Sequence, residues 1–431
     1  MSRFLYLVIS SLIVCGLACQ NTTPESPATT LWKGMPAQVN TPQEIQEELQ
    51  EKMARIQQFL KKERLKGILL TQVRNVYWAT AGLANNQIVL NKDVGAASLL
   101  IRADGKKFLI CNGSEAARLM EESLEKLDYE WKVYPWYEAN PVKDIRGEII
   151  QALSLGGRIG SDVPFPGTVL VADRFKRLRY QLTPSEIKRY TWLGQQVAEA
   201  VEAVCRQLRP GMDEFEIEAR TAAALRARGI LPTVLLIGVD ERIYKYRHAL
   251  PAGARLKNYA MVNVVAEKWG MPVAVTRLVH FGPLPKELQL KLKKTAIVNA
   301  HFQEATRPGT PCADIFESCK RWYAEVGFPG EWQMHHQGGA IGYDDREYVL
   351  YPGIPEMVLL HQAFAWNPTI TGAKVEDTMI VTEEGFRVIT RTGNWPLINV
   401  HLNGNVYPQP AILVLDPETG AVLNQEAVDI P

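Results

Sequence analysis

The stretch MVNVVAEKWGMPVAVTRLVHFG, Met261 to Gly282, reads as two apolar strands on either side of Lys268-Trp269-Gly270. Working outward, VLLIGV precedes it, and VLLHQAFAWNP, AKVEDTMIVT and GFRVIT follow as further strands. Two helices lead into this block. Thr183-Pro184-Ser185-Glu186 is a capping box with Pro at the first helical position, and its helix runs to about Leu208 before Arg209-Pro210-Gly211. The second starts at Asp213-Glu214 and runs to Arg228-Gly229. Upstream, Thr41 is an N-cap for a helix over Pro42–Lys62 with an apolar stripe at Ile45, Leu49, Met53, Ile56 and Leu60 and a polar far face. Then helices (Ser114–Leu127, Val142–Leu153) alternate with the strands GILLTQ, GAASLLIR, KFLICN, WKVYPW and GRIGSD, with a hairpin turn at Asp104-Gly105. That alternation predicts an α/β sheet with covering helices.

Several blocks resemble the pita-bread hydrolases: aminopeptidase P, prolidase, methionine aminopeptidase and creatinase. Their metal-dependent members place an Asp at the end of one strand and a second Asp eleven residues on, ahead of a Thr-Arg pair. Thr276-Arg277 and Gly270 are present, but the two ligand positions hold Asn263 and Ala274. HHQGGAIG resembles the family's Gly-His-Gly-Ile-Gly segment with Gly339 for the ligand His, and Asn367-Pro368 stands for a Glu-Pro pair. Of the five ligand positions only Glu376, in Lys374-Val375-Glu376-Asp377, matches. LRPGMDEFEIEARTAAALRARGI and NVYWATAG resemble the family's Leu-x-Pro-Gly connection and its N-terminal-domain phrase. The resemblance implies an α/β creatinase/prolidase-like N-terminal domain (41–182) and an α+β pita-bread domain (183–395), a curved antiparallel sheet covered by helices; a C-terminal extension (396–431) with strand-like pieces follows, without a family counterpart.

Two divalent ions carry about four positive charges and need anionic oxygens or imidazoles close by. Asn263 and Asn367 offer neutral carbonyl oxygens, while Ala274 and Gly339 offer no side-chain donor. The expectation is therefore no metal and no cofactor. By position in the resembling family, His248 (in Tyr246-Arg247-His248-Ala249-Leu250-Pro251), Glu347 and Glu376 are the catalytic candidates. Arg277, His280, His335, Arg346, Lys374, Asn263 and Asn367 are the substrate-binding ones. With carboxylates lost and an Arg gained, the pocket suits a carboxylate-bearing ligand; the other reading is that these charges replace the lost metals and hold the cavity together through Arg–Glu pairs.

Two readings of different class follow. One is a metal-independent hydrolase acting on a C–N bond, for which creatinase is the family precedent, with Glu376 or Glu347 activating water and His248 shuttling the proton. The other is a non-catalytic module that binds a peptide or small anion at the cell envelope. A mononuclear peptidase using Glu376 with His335 or His336 is a third. Homodimers are common in the resembling enzymes.

With 48 Lys plus Arg against 47 Asp plus Glu in 431 residues, charge calls for no nucleic acid. Arg3 followed by the apolar run Leu5–Ala18 is a signal-peptide core, too short to remain as a membrane span. Its end at Ala18-Cys19 resembles a bacterial lipoprotein signal (1–19), with a lipid on Cys19, a linker (20–40) and an envelope location facing the periplasm or the surface. Gly16 stands where such signals usually carry Leu, and ordinary signal-peptidase cleavage is the other reading. Cys111, Cys205, Cys312 and Cys319 form no metal-type spacing, and Cys312 and Cys319 lie two helical turns apart, too far to bridge.

Overall fold

The computed structural model describes residues 39–424 and 427–430. The signal-type segment with Cys19, and all but two residues of the linker, lie outside the described residues. Among the described residues no helix is long and apolar enough to cross a membrane.

The first helix, α1 (Pro42–Glu63), starts as its sequence requires: Thr41 accepts from the Glu44 amide and the Glu44 side chain reaches back to Thr41. It leads into β1 (Gly67–Gln72), α2 (Val73–Ala79), β2 (Val94–Arg102), β3 (Lys107–Asn112), α3 (Gly113–Leu119), β4 (Glu130–Tyr134), α4 (Ile145–Ser154), β5 (Ile159–Ser161), β6 (Val169–Leu170) and α5 (Ala172–Phe175). The six strands form one mixed sheet in the order β4-β3-β2-β1-β5-β6. Gly105, with a φ of 88°, turns the antiparallel β2–β3 hairpin where the sequence places it. The helix expected over Ser114–Leu127 is divided, with α3 passing into a π-turn at Met120–Leu124.

The second part opens with α6 (Pro184–Arg206), whose capping box pairs Thr183 with Glu186. It continues through α7 (Glu214–Arg226), β7 (Leu231–Val239), α8 (Glu241–Lys245), β8 (Tyr259–Lys268), β9 (Met271–Phe281), α9 (Lys286–Ala305) and α10 (Cys312–Glu325). Next come β10 (Gly338–Ile341), β11 (Tyr348–Val349), β12 (Ala363–Trp366), β13 (Thr369–Ile370), β14 (Ala373–Lys374), β15 (Asp377–Thr382) and β16 (Gly385–Val388). The last strands are β17 (Leu397–Leu402), β18 (Asn405–Pro410), β19 (Ile412–Leu415) and β20 (Val428–Ile430).

Met261–Gly282 is the central hairpin. Lys268 pairs with Met271 across a two-residue turn in which Trp269 (φ 57°) and Gly270 (φ 73°) are both left-handed, a type I′ signature. One sheet has the order β19-β9-β8-β7 and the other β11-β10-β12-β15-β16. They are sewn together where the Ala274 amide donates to Thr378 Oγ1 (2.9 Å) and the Thr276 amide to the Glu376 carbonyl (3.1 Å). Helix α6 covers the first sheet, burying Leu193, Val197 and Val201 with Val262, Val264, Val273 and Val275 in one core. It comes so close at Gly194 that an added Cβ would lie 2.5 Å from the Ile389 carbonyl oxygen.

One expectation is corrected here. The polar face of α1 is not all solvated, since Glu48 and Lys52 are fully buried against α6. The segment after residue 396 belongs to the fold: β19 adds to β9 in parallel register, Ile412 to Leu415 against Leu278 to Phe281. Cys111, Cys205, Cys312 and Cys319 are all buried free thiols.

Candidate active site

The floor of the site is built by adjacent strands. Asn263 projects from β8, Thr276 from β9 and Lys374 from β14, and Glu376 sits in the short link between β14 and β15. The Glu376 carboxylate is 1% exposed and accepts from Asn263 Nδ2 (2.6 Å), Thr276 Oγ1 (2.7 Å), Lys374 Nζ (3.2 Å) and Arg346 Nη2 (3.3 Å). Lys374 Nζ also donates to Asn263 Oδ1 at 3.1 Å. Burial alone would raise the Glu376 pKa, but the Lys374 and Arg346 charges and the Thr276 hydroxyl outweigh it and hold the carboxyl below its ordinary value. Burial lowers the Lys374 ammonium, with Glu376 opposing.

This floor does not fit a dinuclear metal centre. The one carboxylate at a ligand position already faces two built-in cations. Ala274 presents a methyl group. At Gly339 an added Cβ would fall 2.1 Å from the Tyr348 carbonyl oxygen, so the β10–β11 pairing leaves no room there for any side chain, let alone an imidazole. Asn367 contributes its amide to the Gln337 carbonyl (3.1 Å), and its buried Oδ1 has no partner.

Beside the floor stand three imidazoles. His248 Nε2 and His335 Nε2 are 2.9 Å apart, His335 stacks on His336 with ring centroids 4.4 Å apart, and each ring offers a nitrogen within 4.8 Å of the others. His335 is buried, whereas His248 and His336 reach solvent. Burial, then the Lys374 charge and the neighbouring rings, push the His335 pKa down to about 2. Burial with Arg346 and Lys374 takes His336 to about 4, and burial with Lys374 lowers His248. All three are shifted toward the neutral imidazole at pH 7.

His248 is held by its neighbour. Arg247 donates to Thr369 Oγ1 (3.0 Å) and Thr371 Oγ1 (2.7 Å) and pairs with Glu331, pinning the loop to β13. Nothing in the spacing of the sequence announces Arg247 as a positioning residue except its adjacency to His248.

Three of the expected residues stand apart. Glu347 is locked in a fork with Arg179 (2.6 and 3.2 Å) and accepts from the Tyr343 amide, so it is not a free base. Arg277 is buried between Glu202 and Asp377, each at 3.0 Å, and its charge is already matched. His280 places Nδ1 3.1 Å from the Gly282 carbonyl oxygen and turns its ring toward Tyr259. By contrast Asn263, Lys374, Glu376 and Arg346 come together on the floor, and His248 and His335 pair beside it. Arg346 keeps an unspent donor: Nη1 goes to the Asp345 carbonyl and Nη2 to Glu376, while its buried Nε has no partner.

A helix-covered sheet pair with this pocket, behind a mixed α/β domain, is the architecture of the prolidase-like pita-bread proteins. The signature of metallopeptidase family M24 matches residues 191–383, and that of the creatinase/prolidase N-terminal domain matches residues 52–197. An uncharacterized peptidase of Staphylococcus aureus (strain MW2) is 26% identical over 317 residues, covering 68% of this chain and 87% of that protein. Among solved structures, an Xaa-Pro dipeptidase from Bacillus anthracis superposes with a TM-score of 0.66 at 19% identity, over 80% of this chain and 98% of that one. The N-terminal domain of FACT complex subunit SPT16 from Cicer arietinum (chickpea) does so at 0.60 and 12%, over 80% and 97%. The chain belongs to the pita-bread metallopeptidase superfamily and is prolidase- and peptidase-like.

Proposed function

We propose that this protein is a hydrolase of a C–N bond in a small or peptidic, carboxylate-bearing substrate, working without the dinuclear metal centre of its family. The observation that carries this is the neutral imidazole pair His248–His335 set beside a cation-rich floor. Glu347 and Glu376 were the expected water activators, and both are spent on cations. Glu376, held below its usual pKa, is a weak base. The base role therefore passes to the imidazoles, with exposed His248 exchanging protons with water or substrate and His335 orienting it. The partly exposed Arg346 guanidinium suits a substrate carboxylate or a developing oxyanion.

The test is turnover of Xaa-Pro dipeptides and of carbamoyl and guanidino amino acids in the presence of a chelator. The expected result is measurable turnover that His248→Ala lowers by about 100-fold or more, a typical general-base contribution, without a fall in melting temperature. Turnover only when metal is added sinks the metal-independent mechanism. No turnover of any substrate, with saturable binding of the same compounds, favours the second reading, a pseudopeptidase that binds a peptide or small anion. That reading has its own support, because both pocket carboxylates are neutralised.

We also propose that the protein is held at the bacterial envelope by a lipid on Cys19. Metabolic labelling with a fatty acid should mark the parent chain and leave Cys19→Ser unlabelled and released from membranes. A labelled Cys19→Ser chain rules the anchor out.

A further inference from the structure

We propose that His248, His335 and His336 form an exchangeable site for one transition-metal ion of the Zn2+ type, separate from the position of the family's dinuclear centre. Among the described residues this is the one cluster of metal-ligating side chains that converges within 4.8 Å. A tetrahedral zinc holds its nitrogen ligands about 2.0–2.1 Å from the metal, which puts the nitrogens roughly 3.3 Å from one another. His248 Nε2 and His335 Nε2, at 2.9 Å, need to part by only a few tenths of an ångström. Imidazole donors suit zinc, copper, nickel and cobalt and not magnesium or calcium, which take oxygen. Glu376 is not part of the cluster, and with its four hydrogen-bond donors it has no reason to join.

The surroundings set the strength. Strong histidine sites pass the second ring nitrogen to a carboxylate or a backbone oxygen. Here His335 Nδ1 is buried with no partner. His336 Nδ1 takes the Gly338 amide at a long 3.2 Å, so this exposed ring must give up that bond or turn to ligate through Nε2. Lys374 and Arg346 repel a cation nearby. The ion should therefore bind reversibly, with His336 as the weakest ligand. While bound it takes the lone pair that proton transfer by His248 would need, so occupancy and imidazole catalysis exclude each other.

Binding is read directly and needs no turnover, so the outcome stands whatever becomes of the hydrolase proposal. The full chain without an affinity tag is stripped with chelator and titrated calorimetrically with Zn2+, and with Co2+ while visible absorption is recorded. The expected result is one ion per chain, a tetrahedral Co2+ spectrum, and no competition from Mg2+. Losing a ligand of three should weaken binding about 100-fold in His335→Asn and in His248→Asn, and less in His336→Asn. His280→Asn should match the parent. His248→Asn changes an exposed ring and guards against an unfolded His335 variant. Absence of stoichiometric binding, or binding unchanged in both His248→Asn and His335→Asn, overturns the site. Binding abolished by Glu376→Gln but kept in the histidine variants also overturns it and places the metal at the family position.

Discussion

At the scale of single residues, the pocket has exchanged external cations for internal ones. Lys374 Nζ bridges Asn263 and Glu376, and an Asp at 263 would leave that oxygen competing for the same ammonium. Rebuilding a dinuclear centre by Asn263→Asp and Asn367→Glu is therefore expected to fail, and Gly339 closes the remaining route. The pairing also has an energetic consequence. Removing one partner of a buried ion pair costs about 3–5 kcal/mol, because the other charge stays behind. Lys374→Met should lose stability of that order in urea unfolding. Lys374→Met with Glu376→Gln should lose less than the sum of the two single changes, by more than about 1 kcal/mol of coupling. Strict additivity would mean that the ammonium and carboxylate do not depend on each other. The sequence shows all of these residues and their family positions. It does not show that Glu347 is taken by Arg179, because that partner lies 168 positions away on an unrelated segment.

Among the elements, α1 and α6 are joined by a buried polar network that apolar periodicity cannot reveal. Lys52 Nζ lies 2.5 Å from Glu48 and 2.6 Å from Glu186, Arg189 forks onto Glu48 at 2.6 and 2.8 Å, and Tyr343 donates to Glu186 at 2.7 Å. A period of 3.6 sorts residues by polarity, and Glu48 and Lys52 sort as solvated. Only their partners on α6 make burial tolerable. Tyr343 sits between Gly339 and Glu347, so the network also fixes the loop beneath the pocket. Lys52→Met should cost about 3–5 kcal/mol and free α1 amides to exchange before the rest of the chain. Parent-like stability would show that apolar contacts alone dock α1. Burial raises the Glu48 carboxyl, yet Lys52 and Arg189 bring it down to about 2. Its contribution is thus present above the unfolded value of about 4.5 and is lost as pH falls toward 2. The hairpin Met261–Gly282 was legible because its two apolar runs and its turn are local. The pairing of β19 with β9 was not, since a parallel edge strand brings together residues more than a hundred positions apart with no turn to mark the register.

Over the whole molecule, two sets of titratable groups set stability against pH in opposite directions. His335 has its folded pKa pushed down to about 2 from 6.5. The unfolded chain takes up a proton that the folded one refuses, so this contribution is present above about 6.5 and lost as pH falls, at about 1.4 kcal/mol per unit. His248, His280, His301 and His336 are lowered too and act in the same sense. Glu267 is the counterweight. Burial, with Asp345 and Asp93 nearby and only Arg74 opposing, raises it to about 7. Its contribution is complete below the unfolded value of about 4.5 and lost as pH rises to about 7. Asp345 and Asp162 are raised and act with it. Between about pH 5 and 6.5 the two sets oppose each other, so the parent's stability with chelator present should change with pH less steeply than the histidines alone dictate. Glu267→Gln removes the counterweight, so its stability should climb by about 2 kcal/mol more than the parent's from pH 5 to 7 and exceed the parent's at pH 7.5. His335→Asn should tilt the curve the other way, climbing by about 2 kcal/mol less than the parent's over the same window. Urea unfolding of the three chains across that range decides it. Parallel curves would mean that neither group is held away from its ordinary pKa.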